Sequence, residues 1–174
     1  RTHGTTRFDA LYKGIARIQR GRRYIVQQDL HIATLGGAPF DVRILMQKTG
    51  TGEWARTKTY ARVAPRGTIT SNLSRGGTAY GLAYVLRRRF RRRARRVAAG
   101  IRSASLEIVH ALEEVLDNPL GEVGLDLGVD RSGRVWLIEV NAKPFRKTAD
   151  AGPKRQVWRS FHRPMAYAKY IAGY

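Results

Sequence analysis

Apolar and polar residues alternate along two neighbouring segments in the last third of the chain. Residues 125–129 read LDLGV, and residues 136–141 read WLIEVN. A period of two is typical of a β-strand that buries one face, and the intervening RSG predicts a turn. The two segments are therefore predicted to form a β-hairpin.

The predicted hairpin gathers oxygen-bearing side chains on one face. If the connection holds two or four residues, Asp126 lies opposite Leu137. It then shares a face with Glu139, diagonal to it, and Asn141 follows one step along. Oxygen ligands with no Cys or His among them suit a hard cation such as magnesium, although a solvated hairpin face is the alternative for an isolated pattern of this kind. The same register collects apolar side chains on the opposite face, namely Leu125, Leu127, Trp136 and Ile138.

Alternation also predicts strands upstream of this hairpin. Residues 40–48 and 54–64 are joined by TGTGE, which is typical of a hairpin turn. Residues 23–33 are predicted to form a further strand with a polar exit, whereas residues 65–81, rich in Gly, Ser and Thr, are predicted to be a loop. Together these segments indicate an antiparallel sheet of four or more strands.

Three segments are predicted to be helical: about 10–20, about 78–116 as one or two helices, and a short Tyr-rich helix over about 164–171. Pro119 and Gly121 end the second segment. These elements indicate an α+β fold in which an antiparallel β-sheet is backed by helices. The apolar stripe of the second segment consists of Ile101, Ser105, Ile108, Val109, Leu112, Val115 and Leu116.

The charge of the chain is large and unevenly distributed. The 174 residues carry a formal net charge of +20, with 33 Lys and Arg against 13 Asp and Glu. No acidic residue occurs from 55 to 106, where residues 87–96 include eight arginines, whereas eight of the 13 acids fall between 107 and 139. A basic surface attracts polyanions. A polyanion contact through Arg87 to Arg96 is therefore one prediction, and a solvated helix face is the alternative.

Composition excludes several kinds of site. The chain has no cysteine, which excludes disulfides, thiolate zinc sites and thiol nucleophiles. No stretch approaches the roughly 20 uninterrupted apolar residues of a membrane span, and the N-terminus has no apolar signal-peptide core. The chain is therefore expected to be soluble and cytoplasmic, with no membrane contact. It begins with Arg rather than Met, so we expect it to lie within a longer reading frame.

The order of these motifs resembles the C-terminal half of an ATP-grasp enzyme, and most closely the YheC/YheD family of endospore coat-associated proteins, over residues 24–147. The strand and hinge that cross the adenine are similar to YIVQQDL. The D-x-R…R…N-L-x-x-G-G run, shared with ribosomal-protein glutamate ligases and bacterial glutathione synthetase, is similar to FDVRILMQKTGTGEWARTKTYARVA followed by TSNLSRGG. The metal-binding hairpin, an Asp followed by E-x-N, resembles GLDLGVDRSGRVWLIEVNAKP.

The resemblance implies three segments. Residues 1–23 would be the partial end of the preceding ATP-grasp subdomain, 24–147 the C-terminal subdomain with the metal-binding hairpin, and 148–174 a tail with a short helix. The lysines and glycine-rich lid that ATP-grasp sites draw from the preceding subdomain have no convincing copy in the first segment. The chain is therefore expected to be a fragment or a truncated relative.

The resemblance also implies residues of the site. Asp126, Glu139 and Asn141 would hold one or two magnesium ions that bridge the β- and γ-phosphates of ATP. Arg43 and Arg62 match arginines that face the phosphates or the acyl phosphate, a task that suits the planar and permanently charged guanidinium. The alternative for each arginine is a solvated strand residue or a salt bridge to the acidic hairpin.

Contacts to the adenine and to the acceptor substrate are implied as well. The hinge would present backbone groups to the adenine edge, and the glycines of NLSRGG would let the backbone approach the acceptor. An ordinary surface turn is the alternative for NLSRGG. Lys143 departs from the N-x-x-P-G pattern of many relatives, which leaves open whether that loop closes over substrate. The implied hinge residues are Gln27, Gln28, Asp29 and Leu30, and the implied acceptor-side residues are Asn72, Arg75, Gly76 and Gly77.

The function implied by the resemblance is an ATP- and magnesium-dependent carboxylate–amine ligase. A carboxylate would attack the γ-phosphate to give an acyl phosphate, which an amine would then capture, and the sequence identifies neither substrate. Two other functions stay open. One is a basic module that binds nucleic acid or another polyanion, and the other is a catalytically silent ATP-grasp relative with a structural role in the spore. The expected location is the cytoplasm, in association with the bacterial endospore.

Overall fold

The computed structural model describes residues 7–19, 23, 27–65, 76–144 and 154–174. The chain divides into two compact units, Arg1–Leu30 and His31–Tyr174. The first unit contains helix α1, Phe8–Gln19, which confirms the helix predicted over 10–20. The sheet and the other described helices belong to the second unit.

One antiparallel sheet of six strands is the centre of the second unit. The strands are β1 (Thr34–Leu35), β2 (Ala38–Lys48), β3 (Trp54–Val63), β4 (Thr78–Gly81), β5 (Glu122–Val129) and β6 (Val135–Asn141). Their spatial order is β4-β3-β2-β5-β6, and β1 pairs with β2 outside this path. The predicted hairpins β2–β3 and β5–β6 are confirmed, and the pairing of β2 with β5 joins them.

The described helices of the second unit are α2 (Leu82–Phe90), α3 (Ala94–Leu116) and α4 (Lys154–Ile171). A short 3₁₀ helix, Arg91–Arg93, separates α2 from α3. Arg91 has a φ of +49°, which is a strained backbone for a residue with a Cβ and breaks the predicted helical segment in two. In the described parts of the chain, none of the helices combines the length and apolar character needed to cross a bilayer. The α+β class with an antiparallel sheet backed by helices is confirmed.

The hydrophobic core lies on one face of the sheet. On β2, the alternate residues Phe40, Val42, Ile44 and Met46 are at most 1% exposed. They pack in one cluster with apolar residues of α2, α3 and β5. Each large apolar side chain removed from water contributes about 1.5–3 kcal/mol. The period of two along β2 therefore sets which face of the sheet the helices cover.

The apolar stripe predicted on α3 is confirmed along most of the helix. Ile101, Ser105 and Val109 are buried. The prediction is wrong for the last turn, where Val115 and Leu116 are 83% and 53% exposed. A 3.6-residue pattern can continue to the end of a helix even where the surface it packs against has ended. The remaining stripe residues pack against the core partly buried, namely Ile108 and Leu112.

The opposite face of the sheet is polar. This polar face is defined by the side chains of Asp41, Arg43, Arg62, Asp126 and Glu139. Helix α4 packs over its end, next to the β2–β3 turn. There, Gln47 Nε2 donates to the Ser160 carbonyl at 2.9 Å and to Glu122 Oε2 at 2.8 Å. The centre of the polar face is thus flanked by a helix rather than covered by the core.

The strand predicted over 23–33 is wrong where the structure describes it. Residues 27–31 have no regular secondary structure, and Ile32 forms an isolated bridge with Asp130. The run QQDLH lacks the alternation that a half-buried strand needs. Residues 24–26 of this prediction lie outside the described residues.

Two further predicted boundaries differ from the structure. Residues 78–81, predicted as loop or helix start, form the edge strand β4 paired with β3. Residues 66–75 of the predicted loop lie outside the described residues. Helix α4 begins at Lys154 rather than near Pro164, which is inside the helix. Proline is common at the first helical position, so its presence indicated a start, but the packing of α4 on the sheet offsets the lost backbone hydrogen bond.

Candidate functional site

The antiparallel register brings the predicted metal ligands and arginines onto the polar face. Arg43 of β2 pairs with Asp126 of β5, which pairs in turn with Glu139 of β6. In the neighbouring row, Asp41 of β2 pairs with Arg62 of β3. Directly paired residues project on the same face with Cβ atoms about 5 Å apart. Acidic and basic side chains therefore meet through strand pairing alone.

Four charged side chains form one connected network on this face. Arg62 donates two hydrogen bonds to Asp41, from Nε to Oδ1 at 2.7 Å and from Nη2 to Oδ2 at 2.6 Å. Its Nη2 also lies 3.0 Å from Asp126 Oδ2, and Arg43 Nε lies 2.8 Å from Asp126 Oδ1. The side chains of Arg62 and Asp126 are 7% and 6% exposed, so water screens the contact little. The salt bridge to the acidic hairpin, the alternative for each arginine, is present.

Burial and charge shift the pKa values in this network in opposite directions. Burial raises the pKa of the Asp126 carboxyl, and the charges of Arg43 and Arg62 offset only part of that rise. Burial acts to lower the pKa of the Arg62 guanidinium, but hydrogen bonds and charges from Asp41 and Asp126 outweigh it and raise this pKa. Asp126 therefore depends on its two arginines to remain ionised, whereas Arg62 stays charged at any ordinary pH.

The predicted register of the β5–β6 hairpin is wrong. Asp126 pairs directly with Glu139 rather than with Leu137, because Ile138 is a β-bulge that shifts the pairing between Asp126 and Leu127. Both registers place the two carboxylates on one face, so that part of the prediction is confirmed. The bulge brings them directly opposite each other rather than diagonal.

The bulge also changes which apolar side chains share a face. Trp136 and Ile138 are predicted to lie with Leu125 and Leu127, and this is wrong. Trp136 pairs with Gly128, so it projects on the side of the sheet away from the core. The end of the Ile138 side chain lies 3.3 Å from the position that a Cβ on Gly128 would occupy. The end of the Ile32 side chain is closer still, at 2.7 Å, so the glycine leaves space for both isoleucines.

Two residues of the site were not selected from the sequence. Asp41 is the bidentate partner of Arg62. Gly124 lets Arg43 cross β5, because a Cβ there would lie 3.0 Å from Pro144 Cβ and 3.3 Å from Arg43 Nη1. Two signals were available: an acid on a strand whose alternate residues are apolar, and a glycine inside a strand, which often marks a close approach.

The residues predicted to bind magnesium present two carboxylates and one amide. Asp126 Oδ1 and Asn141 Nδ2 are buried and have no hydrogen-bond partner within the described part of the chain. Arg43 Nε lies 2.8 Å from Oδ1, so this contact is an ion pair without an aligned N–H. The side chain of Glu139 is exposed on the facing strand. Turning the Asn141 amide over would present its oxygen instead of its nitrogen.

This donor set fits magnesium. Magnesium is commonly bound through one or two carboxylates and completes its shell with water and substrate phosphates. Among the residues that the structure describes, no three His, Cys, Asp or Glu side chains form a cluster that could hold a metal. A magnesium ion here would therefore depend on oxygens from outside the protein for most of its coordination.

The other predicted site residues belong to other segments of the chain. The hinge residues belong to the first unit and are Gln27, Gln28, Asp29 and Leu30. Gly76 forms a turn with a φ of +89°, and Gly77 leads into β4. Asn72 and Arg75 lie outside the described residues.

Two curated relatives match this chain. The endospore coat-associated protein YheD of Bacillus subtilis (strain 168) is 32% identical over 123 residues, which are 71% of this chain and 27% of the relative. The endospore coat-associated protein YheC of the same organism is 26% identical over 149 residues, which are 86% of this chain and 41% of the relative. The chain spans less than half the length of either relative.

A solved structure shares the fold. The C-terminal domain of K. lactis Pby1, an ATP-grasp enzyme interacting with the mRNA decapping enzyme Dcp2, matches with a TM-score of 0.55 and 18% identity, over 87% of this chain and 48% of that one. At this identity the likeness concerns the fold alone. The family model described as YheC/D like ATP-grasp matches residues 1–171. Because this match covers nearly the whole chain, the protein belongs to the YheC/D-like ATP-grasp family.

Proposed function

We propose that this chain is the ATP- and magnesium-binding part of a carboxylate–amine ligase. The observation that carries the proposal is the direct pairing of Asp126 with Glu139, beside the guanidinium groups of Arg43 and Arg62. Oxygen ligands and guanidinium groups on one rigid sheet face match the two needs of phosphoryl transfer, which are charge neutralisation and alignment. Membership of the ATP-grasp family supports the same function.

Each side chain of the polar face has a proposed role. Asp126, Glu139 and Asn141 would hold magnesium, which when bound neutralises charge on the β- and γ-phosphates of ATP. Arg43, whose side chain is 24% exposed, would reach the phosphates or the acyl phosphate. Arg62 is buried, so it would hold Asp126 in position and stabilise charge that develops nearby.

The remaining contacts and the setting are proposed from the family. The hinge, Gln27 to Leu30, would contact the adenine, and the acceptor side would be formed by Asn72, Arg75, Gly76 and Gly77. The proposed substrates are a carboxylic acid and an amine, and the proposal extends only to these chemical classes. Since two relatives are named for the endospore coat, we propose a cytoplasmic location associated with the endospore.

The proposed reaction has two steps. An oxygen of the substrate carboxylate bonds to the γ-phosphorus while the bond from that phosphorus to the bridging oxygen breaks, which gives an acyl phosphate and ADP. The amine nitrogen then bonds to the acyl carbon, inorganic phosphate leaves, and the nitrogen loses a proton as the amide forms. Arg43 and Arg62 would stabilise negative charge in both steps.

Calorimetric titration with ATP, with and without magnesium, tests the nucleotide site. Moderate salt weakens nonspecific attraction to the exposed arginines. We expect saturable binding that requires magnesium and weakens at least about tenfold in Glu139→Gln, a loss of about 1.4 kcal/mol. The matched control is Glu114→Gln, the same change at an exposed position on α3, which should leave binding unchanged.

One result would contradict the proposed nucleotide site, and another would contradict only the ligase activity. Binding that is indifferent to magnesium and to Glu139 would contradict a metal–nucleotide site on the polar face. Magnesium-dependent binding without ligation of any acid and amine by the full-length protein would instead identify a catalytically silent relative, the alternative drawn from the sequence.

A further inference from the structure

A groove separate from the polar face lies between α3 and the turn of the β5–β6 hairpin. Its volume is about 680 Å³. Arg93, Arg96 and Ser103 line it from the helical side, and Ser132 and Arg134 line it from the turn. We name it the basic groove. Because α3 packs on the core face of the sheet, the basic groove and the polar face lie on opposite sides of the sheet.

The turn that forms one wall of the basic groove is held rigidly. Asp130 Oδ1 accepts hydrogen bonds from the Ser132 N–H at 2.8 Å, the Ser132 hydroxyl at 2.6 Å and the Arg134 N–H at 3.0 Å. Its Oδ2 accepts from Trp136 Nε1 at 3.0 Å. Gly133 has a φ of +92°, and a Cβ there would lie 2.8 Å from a methyl group of α3. The turn therefore packs directly on the helix, and Asp130 is engaged within the turn.

Two arginines on the helical side of this groove, Arg93 and Arg96, have no carboxylate partner among the described residues. Arg93 Nη1 donates to the Ser132 carbonyl at 2.9 Å, which ties its side chain to the opposite wall. The guanidinium of Arg134 lies over Trp136, 4.3 Å from the ring centroid, so it is on the side of the sheet away from the core and does not contribute to the groove. Arg96 is exposed. Guanidinium forks of this kind suit phosphate oxygens.

The ligand that fits is a chain of phosphate groups rather than a single anion. None of the described residues that line the basic groove is aromatic, so these residues offer nucleobases no stacking surface. Positive charge also extends beyond the reach of one phosphate, because exposed arginines continue from the groove along the neighbouring helices. These are Arg87, Arg88, Arg91, Arg92 and Arg95.

We propose that the basic groove binds a linear chain of phosphate groups, with Arg93 and Arg96 as its principal contacts. Single-stranded nucleic acid and inorganic polyphosphate both supply this chemistry. The site is distinct from the nucleotide site on the polar face and does not depend on it.

Fluorescence anisotropy of a labelled single-stranded oligothymidylate measures binding to this chain. Unlabelled inorganic polyphosphate and inorganic phosphate, at equal total phosphate, serve as competitors. The groove variant replaces Arg93 and Arg96 with Gln. The matched control removes the same charge from exposed positions outside the groove: Arg56→Gln and Lys169→Gln.

At about 150 mM salt, we expect the wild-type chain to bind the oligonucleotide and polyphosphate to displace it, whereas inorganic phosphate does not. The groove variant should bind at least about tenfold more weakly, with a salt slope smaller by about 1.4, since each of two phosphate contacts on a single strand contributes about 0.7. The control should lose less than about threefold. The probe with the lower Kd identifies the source of the phosphate chain.

Equal weakening in the two variants would show that only net charge matters and would overturn the proposal. Equal displacement by inorganic phosphate, or no binding by the wild-type chain, would also overturn it. Thermal melting checks that the groove variant is folded. If it is not, Arg96→Gln alone, which breaks no contact among the described residues, should weaken binding about threefold. Glu139→Gln should leave oligonucleotide binding unchanged, so the proposals for this site and for the nucleotide site can be refuted independently.

Discussion

Arginines occur in two contrasting settings in this protein. Arg43 and Arg62 lie on strands of the polar face, where Asp126 contacts both of them. The eight arginines between 87 and 96 lie on helices, and none of them pairs with a carboxylate among the described residues. With Asp41 included, the first group is electrically neutral, whereas the second carries only positive charge.

The difference shows that burial and neighbouring charges decide whether an arginine stabilises the fold or attracts anions. A guanidinium removed from water needs a carboxylate partner, and that partner fixes its geometry. A solvated guanidinium needs no partner, and it adds to a long-range field that salt weakens. We therefore expect substitutions in the first group to change stability and substitutions in the second to change the binding of anions.

The largest loss of stability is expected when Asp126, the acid that contacts both Arg43 and Arg62, is replaced. Asp126→Asn leaves Arg62 with Asp41 alone and Arg43 without a carboxylate, so the free energy of unfolding should fall by about 3 kcal/mol. Urea denaturation measures the change. Glu139→Gln, the same change on the exposed carboxylate opposite, should alter stability by less than about 0.5 kcal/mol. Equal losses in the two variants would show that the network does not stabilise the fold.

Keeping the charge but removing the planar fork tests whether geometry matters in the buried setting. Lysine cannot donate two parallel hydrogen bonds to Asp41, so Arg62→Lys should lower the free energy of unfolding by about 1–2 kcal/mol. The same substitution at exposed Arg88 should have no measurable effect in the same urea experiment. An unchanged stability for Arg62→Lys would mean that charge alone holds Asp41 in place.

Asp130 is a third case, because this acid lies beside exposed arginines but accepts its hydrogen bonds from residues of its own turn. Partial burial acts to raise the pKa of Asp130, but hydrogen bonds from Ser132, Trp136 and the Arg134 backbone outweigh it and lower the pKa from 3.8 to about 2. A carboxyl whose pKa is lowered by folding stabilises the fold above its unfolded pKa and loses that contribution as the pH falls through its folded pKa.

The expected loss between about pH 4 and about pH 2 is about 1 kcal/mol, because solvent screens this partly exposed group. Denaturant titrations across this range measure it. Asp130→Asn should lack this part of the pH dependence. If the variant keeps the full loss, other carboxylates are responsible for it.

The smallest effect on stability is expected in the exposed setting. Arg88→Gln combined with Arg95→Gln should change the free energy of unfolding by less than about 0.5 kcal/mol, because neither side chain contacts a carboxylate within the described residues. Thermal denaturation is sufficient for this comparison. A loss above about 1 kcal/mol would show that these arginines are structural, and the contrast between the two settings would fail.

Local patterns were sufficient to predict both hairpins and the shared face of Asp126 and Glu139, because alternation within a strand is a local property. The pairing of β2 with β5, which joins Arg43 to Asp126, could not be predicted from the residue pattern alone. Its two strands are distant in sequence, and each carries an apolar face that could pack beside several others. Strand order depends on which apolar faces combine into one core.

The bulge at Ile138 and the roles of Gly124 and Gly128 also could not be predicted from local sequence patterns. Gly128 leaves space for Ile32 as well as for Ile138 at the bulge, and the role of Gly124 depends on Arg43 crossing from the neighbouring strand. Residue type indicated that glycines were unusual inside β5. Only the neighbouring strands show what each glycine accommodates.

The network of Asp41, Arg62, Asp126 and Arg43 has no net charge, and this has a consequence for rates. A nucleotide that binds the polar face as proposed would be attracted at a distance by exposed arginines outside the network rather than by the network itself. Dissociation breaks short-range contacts, which salt affects little. Added salt should therefore slow association and leave the dissociation rate nearly unchanged. The association rate would thus depend on the exposed arginines, and the dissociation rate on the arginines of the network.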